Sequence, residues 1–260
     1  MERFLAQPNL PKGRVTAAVL SGEALTLRTR LEQYGVRCVT AAPWPALPAP
    51  VASHPDMLCH HLGGREILVN QGNQELSRFL LAEGMAPVFS QAALGGTYPA
   101  DIPLNAARIG HFLLGHAACD SLLRQACAKK NVCFIPVKQG YAKCSTVVVT
   151  ETACITADPS VKAAAVAAGL DVLAVRPGFV ALKGYSYGFL GGACGKLSKD
   201  CLAFFGDGTS HPDWEAICSF LRNYHIHPLS LQSGELQDTG GLIPLKEVLS
   251  EDAGKDGDAG

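Results

Sequence analysis

Charge is scarce in this chain, and what there is nearly cancels. Charged residues fill 17% of 260 positions, and the formal net charge is −1. A near-neutral protein has no bulk field to attract nucleic acid or an anionic membrane surface, so neither partner is expected. Long apolar runs are also missing. No stretch approaches the ~20 apolar residues that a membrane-spanning helix needs. Met1 to Pro11 lack the basic start and apolar core of a secretion signal, and a cytoplasmic location is the expectation. No C-x-x-C pair occurs among the ten cysteines. Without a secretion signal, that argues against a disulfide framework. The thiols sit inside apolar patterns, where cysteine serves as a small hydrophobe.

Hydrophobic residues, at 48%, are ample for a large core. The clearest unit runs from Val137 to Leu182. Cys144–Val149 and Thr152–Thr156 read as two β-branched strands with a tight turn at Thr150-Glu151. Asp158 reads as a helix cap with Pro159 at the first helical position. Val161, Ala164, Ala165, Ala168 and Leu170 fall near one helical stripe, Gly169 ends the helix, and Val172–Val175 is a third strand.

The same order, strand, strand, helix, strand, recurs. His54–Leu62, Glu66–Val69, Gln74–Ala82 and Ala86–Phe89 make one unit. Ala107–Ile109, Phe112–Leu114, Asp120–Lys129 and Val132–Val137 make another. Gly188–Gly191, Cys201–Phe205, a helix through Trp214 and Leu221, and His227–Leu231 make a third. The opening unit, Val15–Leu20, Gly22–Tyr34 and Val36–Thr40, lacks one strand, and Leu242–Leu245 is a strand without a helix. The end of the chain is expected to pair with its beginning. Unit starts fall at Asp56, Asn105, Lys143, Gly188 and Asp238, a spacing of repeat architectures. The fold class is therefore α/β, a pseudo-five-fold closed α/β-propeller of ββαβ units. One domain is expected over residues 1–246, with a disordered acidic tail at 247–260.

Three segments carry a family resemblance. Gly140-Tyr141-Ala142-Lys143-Cys144-Ser145 resembles the G-x-H-L-K-S segment of the pentein, or guanidino-group-modifying, superfamily. Asp238-Thr239-Gly240-Gly241-Leu242-Ile243-Pro244 resembles its closing D-G-G-x-x-C type segment, and His54-Pro55-Asp56 its guanidinium-gripping acidic segment. The superfamily holds arginine deiminases, dimethylarginine dimethylaminohydrolases, amidinotransferases and a non-enzymatic ribosome anti-association factor. The chain is similar, too, to a bacterial family of this fold that lacks the catalytic Cys and His. The resemblance implies a cysteine nucleophile and a histidine acid–base. The matching positions here read Ile243 or Pro244 and Tyr141.

In such a ring, the turns into each unit converge on a central pocket. The expected ligand-binding set is Asp56, Asn105, Tyr141, Lys143, Tyr185 and Asp238, which suits a zwitterion such as an amino or guanidino acid. The alternative is that these groups pair and plug the channel. Cys144 follows Lys143, whose ammonium would lower the thiol pKa, and it is the candidate for a relocated nucleophile acting on a guanidino C–N bond; the competing and preferred reading is that it only starts a buried strand. No cofactor or metal is expected. Cys59, His60 and His61 are adjacent in a strand and cannot all face one ion. Three readings follow: a binding protein for a small polar molecule, a guanidino-modifying hydrolase or transferase using Cys144, and a protein-interaction module.

Overall fold

A computed structural model describes residues 1–249. The chain opens with β1 (Glu2–Phe4), β2 (Arg14–Ser21), α1 (Leu25–Gln33) and β3 (Arg37–Ala41). A short helix α2 (Pro55–Leu58) leads into β4 (Cys59–Gly63), β5 (Glu66–Val69), α3 (Gln74–Ala82) and β6 (Ala86–Phe89). Then come β7 (Ala107–Ile109), β8 (Phe112–Gly115), α4 (Ser121–Lys129) and β9 (Cys133–Pro136). The next unit is β10 (Thr146–Val148), β11 (Ala153–Thr156), α5 (Pro159–Ala167) and β12 (Asp171–Ala174). The last is β13 (Cys194–Ser198), β14 (Cys201–Phe204), α6 (Trp214–Asn223) and β15 (His227–Ser230), followed by β16 (Ile243–Val248).

These strands form five small sheets: β1-β16-β2-β3, β4-β5-β6, β7-β8-β9, β10-β11-β12 and β13-β14-β15. In each three-stranded sheet the first pair is antiparallel and the helix crossover makes the second pair parallel. The first sheet completes itself with the end of the chain. β16 lies between β1 and β2 and is antiparallel to both.

Each middle strand is apolar on both faces because it serves two cores. Leu202 and Phe204 face one cluster while Cys201 and Ala203 face another. Ile67 and Val69 face one way and Leu68 the other. The period of two thus turns an apolar run into two half-cores. Five clusters fill the seams between the first and second, second and third, third and fourth, fourth and fifth, and fifth and first sheets. The order of packing returns to its start.

Local chemistry repeats with the sheets. Asn73, Asp120 and Asp158 cap α3, α4 and α5, each accepting a hydrogen bond from a backbone N–H of the first turn. After each crossover helix, the chain turns through a left-handed residue: Gly35, Gly84, Asn131, Gly169 and His225. The next residue, Val36, Met85, Val132, Leu170 or Ile226, is buried. Its N–H returns to the carbonyl of Leu31, Leu80, Cys127, Ala165 or Leu221 respectively. This is one C-terminal capping motif used five times, with its apolar contact.

Three expectations need correction. Gly188–Gly191 is not a strand. Leu190–Ala193 is a 3-10 turn, and the strand begins at Cys194. The close approach of Gly191 to the carbonyls of Cys144 and Thr146 leaves no room for a strand side chain there. Glu2–Phe4, read only as part of the N-terminus, is an edge strand. Glu247 and Val248, assigned to the tail, belong to β16. The Glu247 carboxylate is buried and accepts from Arg3 and from the backbone N–H groups of Lys12 and Gly13, which ties the strand down. The rest of the predicted tail, from residue 250, lies outside the described residues. Among the described residues, no helix is long and apolar enough to cross a membrane.

Candidate functional site: a buried central cluster and an outer cleft

Five of the predicted residues meet at the inner ends of the sheets. Asp56 comes from α2, Asn105 from the turn before β7, Lys143 and Cys144 from the turn before β10, and Asp238 from the turn before β16. All five are buried. Asn105 organises the group. Its Oδ1 accepts from the N–H of Lys143 at 2.8 Å and of Cys144 at 3.3 Å. Its Nδ2 points at Cys144 Sγ, 3.2 Å away, and at Met57 Sδ, 3.3 Å away. Cys144 Sγ–H donates to Asp56 Oδ2 at 2.8 Å. The Lys143 ammonium meets the Gly191 carbonyl at 3.5 Å.

The electrostatics follow from burial. The Asp56 carboxyl is pushed up to about 6 by desolvation, against the pull of His54 and Lys143. Cys144 moves well upward, through desolvation first and then the charges of Asp56 and Asp238. The expected thiol-lowering effect of Lys143 is therefore overturned. A carboxylate at hydrogen-bonding distance, in a buried site, holds the proton on sulfur.

Asp238 is locked by backbone. Its Oδ2 accepts from the N–H of Phe189 at 2.8 Å and its Oδ1 from that of Gly240 at 3.0 Å. His54 Nδ1 stands 3.7 Å from Oδ1. A Cβ on Gly192 would lie 2.0 Å from Asp238 Oδ1, and one on Gly240 would lie 2.5 Å from His54 Cβ. These glycines are there because the carboxylate and imidazole fill the space.

A cleft of about 920 Å3 opens between the N-terminal end of α1 and the segment Gly178–Ser186. His54, Asp238 and Thr239 lie on its inner side, and Glu23, Lys183, Tyr185 and Glu235 are among its other walls. Asp56, Asn105, Lys143 and Cys144 are not part of its lining. Lys143 instead borders two voids of about 10 and 20 Å3 on the far side of the cluster, each roughly the room of one water.

A family profile described as "Family of unknown function (DUF6873)" matches residues 20–243. The chain belongs to that family. A search of curated proteins gives no match. Among solved structures, the fold is similar to SxtG, an amidinotransferase from Microseira wollei in the saxitoxin biosynthetic pathway. That likeness has 10% identity over 91% of this chain and 92% of that one, with a TM-score of 0.54. It is also similar to C. jejuni agmatine deiminase, at 9% identity over 89% and 91% of the two chains, with a TM-score of 0.50. A substrate-bound form of that deiminase gives 8% identity, 94% and 96% coverage, and a TM-score of 0.52. These are pentein-fold guanidino-modifying enzymes, and this member of DUF6873 has their fold.

Two predicted residues stand apart from the cluster. Tyr141 is half-buried and donates its hydroxyl to Asp101 Oδ2 at 2.6 Å. Burial and that carboxylate push its phenol upward. Tyr185 is 48% exposed and lies on the cleft. Sequence reasoning missed His54 and Thr239, although both sit inside segments quoted for the family resemblance. Their neighbours Asp56 and Asp238 carried the obvious charge. His60 and His61 are fixed by backbone instead: His60 Nδ1 lies 3.2 Å from Leu104 O and His61 Nε2 lies 3.0 Å from Gly64 O.

Proposed function

We propose that this protein is a pentein-fold binding protein that holds a small polar molecule of the amino-acid or guanidino-acid type, and that it does so in the outer cleft. One observation carries the reading: the cleft joins carboxylates and an ammonium on one surface. Glu23 and Glu235 suit a cationic group, and Lys183 suits a carboxylate.

Binding is favoured over turnover by the two positions where the superfamily keeps its reactive groups. Tyr141 is engaged with Asp101 and its phenol is shifted away from neutrality, so it is no substitute for a histidine base. Ile243 and Pro244 have no nucleophile. Cys144, the relocated candidate, is buried with its proton held toward Asp56. The names of the structural neighbours, an agmatine deiminase and an amidinotransferase, agree with a guanidino-type ligand.

A thermal-shift panel of amino and guanidino acids tests the reading. A ligand present at a hundred times its Kd stabilises by about 2.7 kcal/mol, which is ~5–10 °C for a chain of this size. At least one such hit is expected, weakened in Glu23→Gln or Glu235→Gln, with no release of ammonia or citrulline. A flat panel overturns the binding reading and favours a protein-interaction module. Steady product release overturns the non-catalytic part.

A further inference from the structure

His54, Asp56 and Cys144 come from two turns far apart in the chain. Yet one ring nitrogen, one carboxylate oxygen and the sulfur all lie within 4.8 Å of one another. They are 3%, 1% and 3% exposed. Imidazole nitrogen, carboxylate oxygen and thiolate sulfur are the three donor types that zinc and its neighbours take.

Hydrogen bonding leaves this set incomplete. Asp56 uses Oδ2 to accept from Cys144, while Oδ1 is buried with no partner. A buried carboxylate oxygen without a donor is costly, and a cation is one way to satisfy it. The surroundings also resemble the outer ring of a metal centre. Asp238 Oδ1 stands 3.7 Å from His54 Nδ1, and is itself pinned by Gly240 N–H. Asn105 Nδ2 lies 3.2 Å from Cys144 Sγ, placed to donate to a thiolate. Such partners orient ligands and raise metal affinity.

We propose that His54, Asp56 and Cys144 form a binding site for a divalent transition-metal ion of the zinc class. Binding forms the metal–sulfur bond and releases the Cys144 thiol proton to solvent, with no change in oxidation state. Asp56 supplies a carboxylate oxygen and His54 a neutral ring nitrogen. Lys143 is the competing cation, but its ammonium is engaged with the Gly191 carbonyl. The ion site stands whether or not the outer cleft takes an organic ligand.

The test is a cobalt(II) titration of the full chain after chelator treatment, with zinc competition and elemental analysis of the untreated protein. The expected result is saturation near one ion per chain with an ultraviolet thiolate-to-cobalt charge-transfer band, reversed by zinc. Cys144→Ser should lose the band. Asp56→Asn and His54→Gln should weaken binding by about tenfold or more. Cys133→Ser, an exposed thiol elsewhere, should leave the titration unchanged. Circular dichroism establishes that each variant is folded, and if Cys144→Ser is not, Asp56→Asn and His54→Gln decide. A titration without the band, a band that survives in Cys144→Ser, or affinity unchanged in the other two variants overturns the site.

Discussion

The outer helix ends and the inner turns of this molecule are built on opposite principles. At the helix ends, one motif is used five times. A left-handed residue and a buried apolar residue follow each crossover helix, and the same backbone bond closes it. At the inner turns no two units agree. His54-Pro55-Asp56, Asn105, Lys143-Cys144, Gly191-Gly192 and Asp238-Thr239-Gly240-Gly241 occupy the five inner positions. The repeat builds the scaffold, where each unit faces the same packing problem. The centre is where five different solutions meet, and among the described residues charge is buried there and at separate points such as Arg108, Asp120, Lys196 and Glu247. Stress that acts on buried titrating groups should strike the inner half first.

Acid is the strongest such stress. His60 and His61 lie on β4, the strand leaving the centre. Burial holds them neutral, with pKa values lowered to about 3 and about 4 from 6.5. A base whose folded pKa is depressed leaves the unfolded chain binding more protons below pH 6.5. Stability is therefore full above that value and falls as pH falls. Asp56, whose carboxyl is raised to about 6, offsets part of this by taking up a proton in the fold over the same range; the two histidines, at about 1.4 kcal/mol per unit each, cost ~5 kcal/mol by pH 4.5. That is comparable with the whole stability of an ordinary domain. We expect the urea midpoint to drop steeply between pH 6.5 and 4.5. His60→Asn, which keeps a donor for the Leu104 carbonyl, should remove about half of that slope. A midpoint flat across this range would mean the two rings are not held neutral.

Gly192→Ala attacks the centre without any change of charge. The new methyl would sit 2.0 Å from Asp238 Oδ1, and Asp238 holds the N–H groups of Phe189 and Gly240. Displacing a buried carboxylate with two backbone bonds adds to the overpacking cost, for about 3–5 kcal/mol in all. Gly234→Ala is the control at an open loop. Nothing lies within 4 Å of its added methyl, and only its φ of +88° is at stake, about 1–2 kcal/mol. Equal losses at the two sites, measured by chemical denaturation, would erase the distinction between centre and periphery.

The difference between the two regions also explains how much was legible in the sequence. Elements governed by local rules were readable: Asp158-Pro159 starts α5, Gly63-Gly64 turns β4 into β5, and Gly84 ends α3. The pairing of β16 with β2 was readable from the arithmetic of missing strands. What depended on distant neighbours was not. Leu190–Ala193 turns rather than extends because the carbonyls of Cys144 and Thr146 crowd Gly191. Of the expected site residues, the fold brings Asp56, Asn105, Lys143, Cys144 and Asp238 to one buried place and leaves Tyr141 and Tyr185 outside it. The separation of Asp56, Asn105, Lys143 and Cys144 from the open cleft was not foreseeable, since it arises from how Asp238 and His54 fill the space beside Gly192 and Gly240.

The smallest expected effect lies at a helix end. Four of the five helix-ending positions hold glycine or asparagine, residues that tolerate a left-handed backbone. The fifth holds His225, at φ 56° and exposed. Its side chain is not in the core, so removing it loses little packing. An L-residue in that conformation costs roughly 1–2 kcal/mol relative to the right-handed region, and glycine recovers it at an entropic cost of roughly 0.5–1 kcal/mol. His225→Gly should therefore stabilise by about 0.5–1 kcal/mol, a Tm rise of ~1–4 °C. The reverse change at an equivalent position, Gly169→Ala, should cost about 1–2 kcal/mol, as at Gly234, since φ there is +81° and nothing crowds the added methyl. Calorimetry of the two variants reads both signs. A His225→Gly protein that melts below the parent would mean the imidazole makes a contact worth more than the strain it carries. The five helix ends would then share a shape without sharing its energetics.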